Sequence, residues 1–308
     1  MILVINLNAS LDKRYLMQDL KKGKVMRVKE VQNTPGGKGI HVANVATILE
    51  EECLVTGFLG GKTGEFIEEN LKGYNIKSDF INIKEDTREC LAIITEDLVQ
   101  TEMLEPGPEV SEEEQERFIE LYNKLIDDAK VIVASGSVPR KVPTDFYSRL
   151  MDIAHGKGKK FLLDTSGVLL QEGIKGKPYF IKPNKDEVEA LTGSKINSDE
   201  DVIREIKNFQ KEGIELVAVS LGSEGSIVGF EGKYYKVSVP KIKAVNPVGS
   251  GDSFVAGIAV AINRGYEIGD CLRLACACGT ANAMEEESGF VRKDTVLELF
   301  EKIVVEEV

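Results

Sequence analysis

Histidine and paired cysteine are scarce in this chain. Its 308 residues include two histidines, His41 and His155, and five cysteines, Cys53, Cys90, Cys271, Cys276 and Cys278, none of them in a C-x-x-C pair. That distribution argues against a zinc site. An odd, thin set of cysteines fits a reducing compartment rather than a disulfide framework. The apolar run carrying Cys271, Cys276 and Cys278 predicts a buried helix with inert thiols. Positive charge is also in short supply: 39 Lys plus Arg stand against 51 Asp plus Glu, a formal net charge of −12. Such a field repels nucleic acid and anionic membranes, so an anionic substrate needs a local basic pocket. The start, MILVINLNASLD, lacks a basic region followed by a long apolar one, so no signal peptide is expected. No uncharged apolar run approaches the length of a membrane helix. A cytoplasmic protein is the expectation.

What is present is ordinary globular material, 42% hydrophobic and 29% charged, long enough for one large α/β domain or two modest ones. Short apolar runs recur at 2–6, 55–58, 131–134, 161–163, 180–181, 216–219 and 226–230. Amphipathic segments alternate with them at 39–49, 64–72, 112–127, 144–156, 186–191, 198–212 and 252–264. The alternation predicts βαβ units and a mostly parallel sheet covered by helices on both faces. Ser111 followed by Glu114 reads as a capping box. Ser198 before Asp199, Glu200 and Asp201 puts negative charge where a helix dipole favours it. Two stretches, about 10–35 and 87–105, break the βαβ rhythm. The second resembles two strands with a turn near Glu96–Asp97, and together the pair could form a small β-lid. No repeat, linker or domain boundary is visible, so residues 1–308 are expected to form a single domain.

Four segments could carry chemistry. Asn246-Pro-Val-Gly-Ser-Gly-Asp252 precedes an apolar helix. Gly249, Ser250 and Gly251 would let several N–H groups face one point at the positive end of the helix dipole, a place suited to a transferred phosphoryl group. Asp252 could take a proton from an attacking hydroxyl, or could serve only as an N-cap; on this segment alone both readings stand. Pro35-Gly36-Gly37-Lys38-Gly39 combines close backbone approach with a charge, or is a simple tight turn. Lys182-Pro-Asn184 with Glu187 places hard oxygen donors on one face of a helix start, suited to Mg²⁺ held through water, or forms an ordinary Asn cap. Ser220-Leu-Gly222-Ser-Glu-Gly225 follows an apolar strand, where ligands bind in open α/β sheets, or is a turn to the next strand. Two nucleotide motifs fail. The Gly61-Lys62-Thr63 stretch would need glycine at 56 to be a P-loop, and the residue there is Thr56. Gly249 and Gly251 lack the third glycine of a dinucleotide fingerprint, because position 254 is Phe.

Taken in this order, these segments resemble the ribokinase-like (PfkB) carbohydrate kinase family over essentially the whole chain. The most specific pieces are GGKG at 36–39 and NPVGSGDS at 246–253. LNASLD at 7–12, TREC at 87–90, TEMLEPGPE at 101–109, SGSVP at 135–139, DTSG at 164–167 and IKPN at 181–184 are similar to the phosphosugar branch, that of tagatose-6-phosphate kinase and 1-phosphofructokinase. The resemblance implies a ribokinase-like three-layer α/β fold with a β-lid often used to dimerise. It implies that Asp252 is the base and that Gly249, Ser250 and Gly251 form the anion hole. Asp12, Gly37 and Lys38 would hold the sugar, with Arg88, Lys38 and Ser137 toward its existing phosphate. Lys182, Asn184, Ser220, Gly222, Gly225 and Asn282 would lie along ATP, and Glu187 with Asn184 would order Mg²⁺. Members of this branch usually carry Pro, Asn, Arg and Ala where this chain has Ala9, His41, Asn44 and Ser250. The expected reaction is ATP-dependent phosphorylation of a ketohexose phosphate to a 1,6-bisphosphate, with tagatose 6-phosphate first, fructose 1-phosphate or fructose 6-phosphate as alternatives, and a silent sugar-phosphate sensor or a nucleoside kinase as rivals. Asp252, Asn184 and Glu187 together favour the enzyme over the sensor.

Overall fold

The computed structural model describes residues 1–97 and 99–308. In chain order its elements are β1 (Ile2–Asn6), β2 (Ser10–Met17), β3 (Glu30–Gly36), α1 (Lys38–Ile48), β4 (Cys53–Gly60), α2 (Gly61–Gly73), β5 (Lys77–Ser78), β6 (Ile81–Ile83), β7 (Arg88–Thr95) and β8 (Gln100–Leu104). Then follow α3 (Glu112–Leu125), β9 (Val131–Ser135), α4 (Phe146–Gly156), β10 (Lys160–Asp164), α5 (Gly167–Lys175), β11 (Phe180–Ile181), α6 (Lys185–Thr192), α7 (Asp199–Lys211) and β12 (Leu216–Ser220). The chain closes with β13 (Ser226–Phe230), β14 (Lys233–Ser238), α8 (Ser250–Arg264), α9 (Ile268–Ala283), α10 (Lys293–Phe300) and β15 (Val304–Glu307).

Why the apolar runs become central strands follows from β1. All five of its residues are buried, and the period of two sends Ile2 and Val4 into one hydrophobic cluster and Leu3 and Ile5 into the other. β9 repeats the pattern, with Val131 and Val133 on one side and Ile132 and Ala134 on the other. The strands order as β15-β14-β13-β12-β11-β10-β9-β1-β4-β5, parallel from β12 to β5 and antiparallel from β13 to β15. Helices α3, α4, α5, α6 and α7 cover one face; α1, α2, α8, α9 and α10 cover the other. This is the expected three-layer arrangement.

The two irregular stretches do join. β2 pairs antiparallel with β3 and parallel with β7, which pairs antiparallel with β8, giving a separate four-stranded sheet of order β3-β2-β7-β8. The turn expected near Glu96–Asp97 falls there, Thr95 Oγ1 donating to Asp97 Oδ1 at 2.5 Å; Leu98 within that stretch lies outside the described residues. Both predicted caps form. Ser111 and Glu114 make a reciprocal capping box, and Ser198 accepts from the Asp201 amide. Cys271, Cys276 and Cys278 are buried on α9, where burial pushes the Cys271 and Cys276 thiols up to about 12. No helix among the described residues is long and apolar enough to cross a membrane.

α8 and α9 approach closely because Gly257 faces Ala275: a Cβ at Gly257 would sit 2.6 Å from the Ala275 Cα. Both helices are packed to zero exposure there, so neither backbone can give way cheaply. We expect Gly257→Val to lower unfolding free energy by about 1–3 kcal/mol, the usual cost of overpacking. Urea titration followed by circular dichroism measures it, and an unchanged midpoint would contradict the packing described.

Candidate active site

At the carboxyl ends of β1, β9, β10, β11 and β12, a cavity of about 670 Å³ opens beneath the lid sheet. Alternation along the lid strands explains its roof. Ser10, Asp12 and Arg14 of β2, Gln32 and Thr34 of β3, Cys90, Ala92 and Ile94 of β7, and Gln100, Glu102 and Leu104 of β8 line it as every second residue of their strands, with Lys13 of β2 and Leu91 of β7 as the exceptions. Its floor is polar where the strands end: Asn6, Asp164 and Ser220 are the last residues of β1, β10 and β12.

The two glycine-rich segments meet here. Gly37, with φ 107°, caps α1, and Cβ atoms at Gly36 and Gly37 would lie 2.1 Å from Asp12 Cγ and 2.7 Å from Asn6 Nδ2. The missing side chains are what bring α1, Asp12 and Asn6 together. Across the cavity, Gly249 has φ 84° and is itself the N-cap of α8. Asp252 therefore lies inside the first turn, makes no capping bond, and is buried. Its carboxylate instead meets a ring: Asp252 Oδ2 is 2.8 Å from His41 Nδ1. The simple N-cap reading of Asp252 is thus excluded by geometry.

Charges are paired unevenly around this turn. Asp164, almost fully buried, holds two ammonium groups, Lys182 Nζ at 3.5 Å and Lys38 Nζ at 3.6 Å, and accepts from Ser135 Oγ at 3.3 Å. Burial alone would raise its pKa, but Lys182, Lys38 and the Ser135 hydroxyl hold it below the ordinary carboxylate value. Asp164 in turn drives the Lys38 pKa upward against burial, with help from Asp252 and Glu187. Lys182 Nζ overlies α8, 3.1 Å from where a Gly251 Cβ would be. Asp12 accepts from Ser10 Oγ at 2.6 Å; burial raises its pKa, and His41, Ser10 and Arg88 oppose the rise.

Of the residues expected from the sequence, Asp252, Gly249, Gly251, Asp12, Gly37, Lys38, Arg88, Ser137, Lys182, Asn184, Glu187 and Ser220 all line the one cavity. Ser250 opens α8 beside it. Arg88 differs from expectation in detail: its Nη1 and Nη2 donate to the carbonyls of Glu105 and Asn8 at 2.8 and 2.9 Å, so its fork is engaged with backbone. Only its buried Nε has no partner among the described residues. Asn184 and Glu187 form a complete capping box, Asn184 Oδ1 accepting from the Glu187 amide at 2.9 Å and Glu187 Oε2 from the Asn184 amide at 2.8 Å. The cap reading is therefore realised, yet both residues also face the cavity.

Three residues depart from expectation. Gly222 and Gly225 line no part of the cavity and make the turn into β13, where a Cβ on Gly225 (φ 90°) would strike the Val237 carbonyl at 2.0 Å. Asn282 is fully buried, and its amide is spent on protein. Oδ1 accepts from Gly289 N at 2.8 Å and Ser253 Oγ at 3.1 Å, while Nδ2 donates to Val248 O at 2.8 Å. It clamps the two loops together. Conversely, Asn6, Asp164 and His41 were given no site role by the motif reading. Asn6 and Asp164 carried a usable signal, a polar residue closing an apolar run, and His41 stood out as a departure.

Against known proteins, the model of the pfkB family carbohydrate kinases matches residues 4–293. This chain belongs to the pfkB family. Among solved structures, a phosphofructokinase candidate from Staphylococcus aureus is 33% identical, covers 100% of this chain and 99% of its own, and superposes with a TM-score of 0.86. A mutant form of phosphofructokinase-2 from Escherichia coli is 25% identical over 98% of each chain, with a TM-score of 0.93. A candidate 1-phosphofructokinase from Thermotoga maritima is 24% identical over 100% of this chain and 99% of its own at a TM-score of 0.90, which speaks for the fold. As a pfkB kinase with the ribokinase-like fold, the protein is an ATP-dependent sugar kinase, phosphofructokinase-like in architecture.

Proposed function

We propose that this pfkB kinase, acting as one domain over 1–308, transfers the γ-phosphoryl group of ATP to a hydroxyl of a ketohexose phosphate and yields a 1,6-bisphosphate. Tagatose 6-phosphate is the first candidate, with fructose 1-phosphate and fructose 6-phosphate behind it. The observation that carries the reading is Asp252, a buried carboxylate inside the first turn of α8, with Lys182 over that turn and the lid residues Asp12 and Arg88 lining the same cavity.

The step needs little covalent help from the protein. The sugar O–H gives its proton to Asp252, the oxygen forms a bond to the γ-phosphorus, and the bond from that phosphorus to the β,γ-bridging oxygen breaks, releasing ADP. Backbone N–H groups of 249–251, at the positive end of α8, and the Lys182 ammonium stabilise the negative charge spread over the moving group. Asp12 and the Gly37 backbone orient the sugar. Lys38, Arg88 and Ser137 face its phosphate, for which Arg88 must exchange at least one of its carbonyl partners. Mg²⁺ bound with ATP would neutralise phosphate charge. A single carboxylate, Glu187, with one oxygen committed to its cap, suits an ion held by phosphates and water rather than by a protein cage. Asn184 and Ser220, bridged to each other and lining the cavity, would lie toward the nucleotide.

The lid gives a second, supporting proposal. Val31 and Met103, neither of which lines the cavity, are each at least half exposed on it, which fits a homodimer formed lid to lid. Such a chain, acidic and without a membrane-crossing helix among its described residues, is proposed to work in the cytoplasm.

Three measurements bear on these readings. Turnover with MgATP is expected on phosphorylated ketohexoses and not on the free hexoses, in one coupled ADP-release assay; the highest kcat/KM names the sugar, and no turnover on any would favour the sensor or nucleoside readings. Asp252→Asn should fold normally and lose about 10²–10⁴-fold in kcat, the usual worth of a general base; near-unchanged kcat would remove Asp252 from the mechanism. Light scattering after gel filtration should give twice the 33.9 kDa chain mass, and Val31→Glu with Met103→Glu should return it to monomer; a wild-type monomer rejects the lid as an interface.

A further inference from the structure

His41 lies one turn into α1, and its ring sits between two carboxylates of the site: Nδ1 is 2.8 Å from Asp252 Oδ2, and Nε2 is 3.9 Å from Asp12 Oδ2. The ring is largely buried and has a built seat. Gly289, with φ 65°, lets the backbone lie against it, since a Cβ there would come within 2.4 Å of the His41 Cβ. Asn44, one turn further along α1, donates from Nδ2 to the Gly289 carbonyl at 2.9 Å, and Asn282 Oδ1 accepts from the Gly289 amide. Two buried amides thus press one glycine onto one imidazole, and the imidazole onto Asp252. The charged groups facing the ring are Asp252 from α8, Asp12 from β2 and Glu287 from the 285–289 loop; Lys38 and Arg88 line the same cavity.

We propose that His41 is the positioning residue of the catalytic carboxylate: its Nδ1–H holds Asp252 Oδ2 so that Oδ1 faces the sugar hydroxyl, and protonation of its other nitrogen turns the base down. This inference rests on the kinase reading above. With neutral His41, one oxygen of Asp252 is fixed and the carboxylate keeps its full negative charge for the incoming proton. With imidazolium, a whole positive charge stands 2.8 Å from the same carboxylate, and an opposite charge at that range lowers basicity. The acid limb of the rate should then follow the histidine and not a carboxylate. Burial alone would pull the His41 pKa down, but the hydrogen bond and charge of Asp252, with Asp12 and Glu287, carry it above the ordinary histidine value. The limb is therefore expected above the ordinary histidine range rather than in the range of a simple carboxylate base.

His41→Asn tests this. An amide can still donate to Asp252 but carries no charge at any pH. In the wild type, kcat should fall about tenfold per pH unit below its apparent pKa; in His41→Asn the fall should begin at least about one pH unit lower. His41→Ala, with no donor, should lose about tenfold or more in kcat at pH 8 with the KM for ATP little changed, and His41→Asn should recover part of that loss. Carbon-13 NMR of labelled histidine in the ligand-free enzyme gives a readout apart from activity, because His155 is the only other histidine. The His41 titration should drop by about one pH unit or more in Asp252→Asn. Superimposable pH profiles for wild type and His41→Asn, or a His41 titration indifferent to Asp252→Asn, would overturn the inference. Full activity of Asp252→Asn would instead sink the kinase mechanism, leaving the NMR result to report the contact. If His41→Ala does not fold, the wild-type and Asp252→Asn titrations decide.

Discussion

Everything at the chemical end of this molecule hangs on the buried amide of Asn282. It sits on the last turn of α9 with zero exposure and bonds at once to Gly289, Ser253 and Val248. Val248 and Ser253 bracket the turn that starts α8; Gly289 belongs to the loop that presses on His41. Asn246 adds a second stitch, donating to the Glu286 carbonyl at 3.0 Å. A buried amide left unpaired would cost about 1–3 kcal/mol, so the two loops and the helix are committed to one arrangement. Gly249 can then hold φ 84° and Asp252 can point into the cavity without serving as a cap.

A protein with a net charge of −12 must bind two phosphorylated substrates, and the global field opposes it. The site answers locally. Buried ion pairs seldom stabilise a fold on balance, since desolvation offsets much of the attraction. Asp164 with Lys38 and Lys182 is better understood as a device that keeps two ammonium groups in place beside the α8 turn. Asp12 and Asp252 are similarly separated by an imidazole rather than left facing each other, which would force one of them to take up a proton.

How much of this could be read from residues alone varied with burial. Strands β1, β9, β10 and β12 were legible because both faces of each are covered, leaving uninterrupted apolar runs. The short helices α5 and α10, strand β14 and the edge strand β15 went unread, since half-exposed segments carry a weaker pattern. The lid was visible as a break in rhythm. Its central pairing was not, because β2 and β7 lie more than seventy residues apart in sequence and no local signal encodes a long-range partner. Within the site, motifs located most of the cavity but could not assign roles that depend on one dihedral or one orientation. The left-handed Gly249 takes the N-cap position that Asp252 could have held. The direction of the Asn282 amide, toward Gly289 and Val248, could not be read from its type. Nor could the close approach of Gly225 to the Val237 carbonyl.

The charge count around the α8 turn explains why the site should be selective for a phosphoryl anion in flight. Lys38 and Lys182 bring two positive charges, and the buried Asp164 between them brings one negative. That trio carries a net charge of one positive, set where Lys182 overlies the backbone of Gly251 and the dipole of α8 adds its own positive end. Asp252 stands in the same turn and, with Glu187, also acts on Lys38, so positive charge is concentrated at the two ammonium groups rather than left in excess over the whole site, and we propose that the transferred group meets the protein there. Because Asp164 fixes both lysines before any ligand arrives, little reorganisation remains to be done in the transition state, which is the condition under which electrostatic stabilisation accelerates a reaction rather than merely tightening binding.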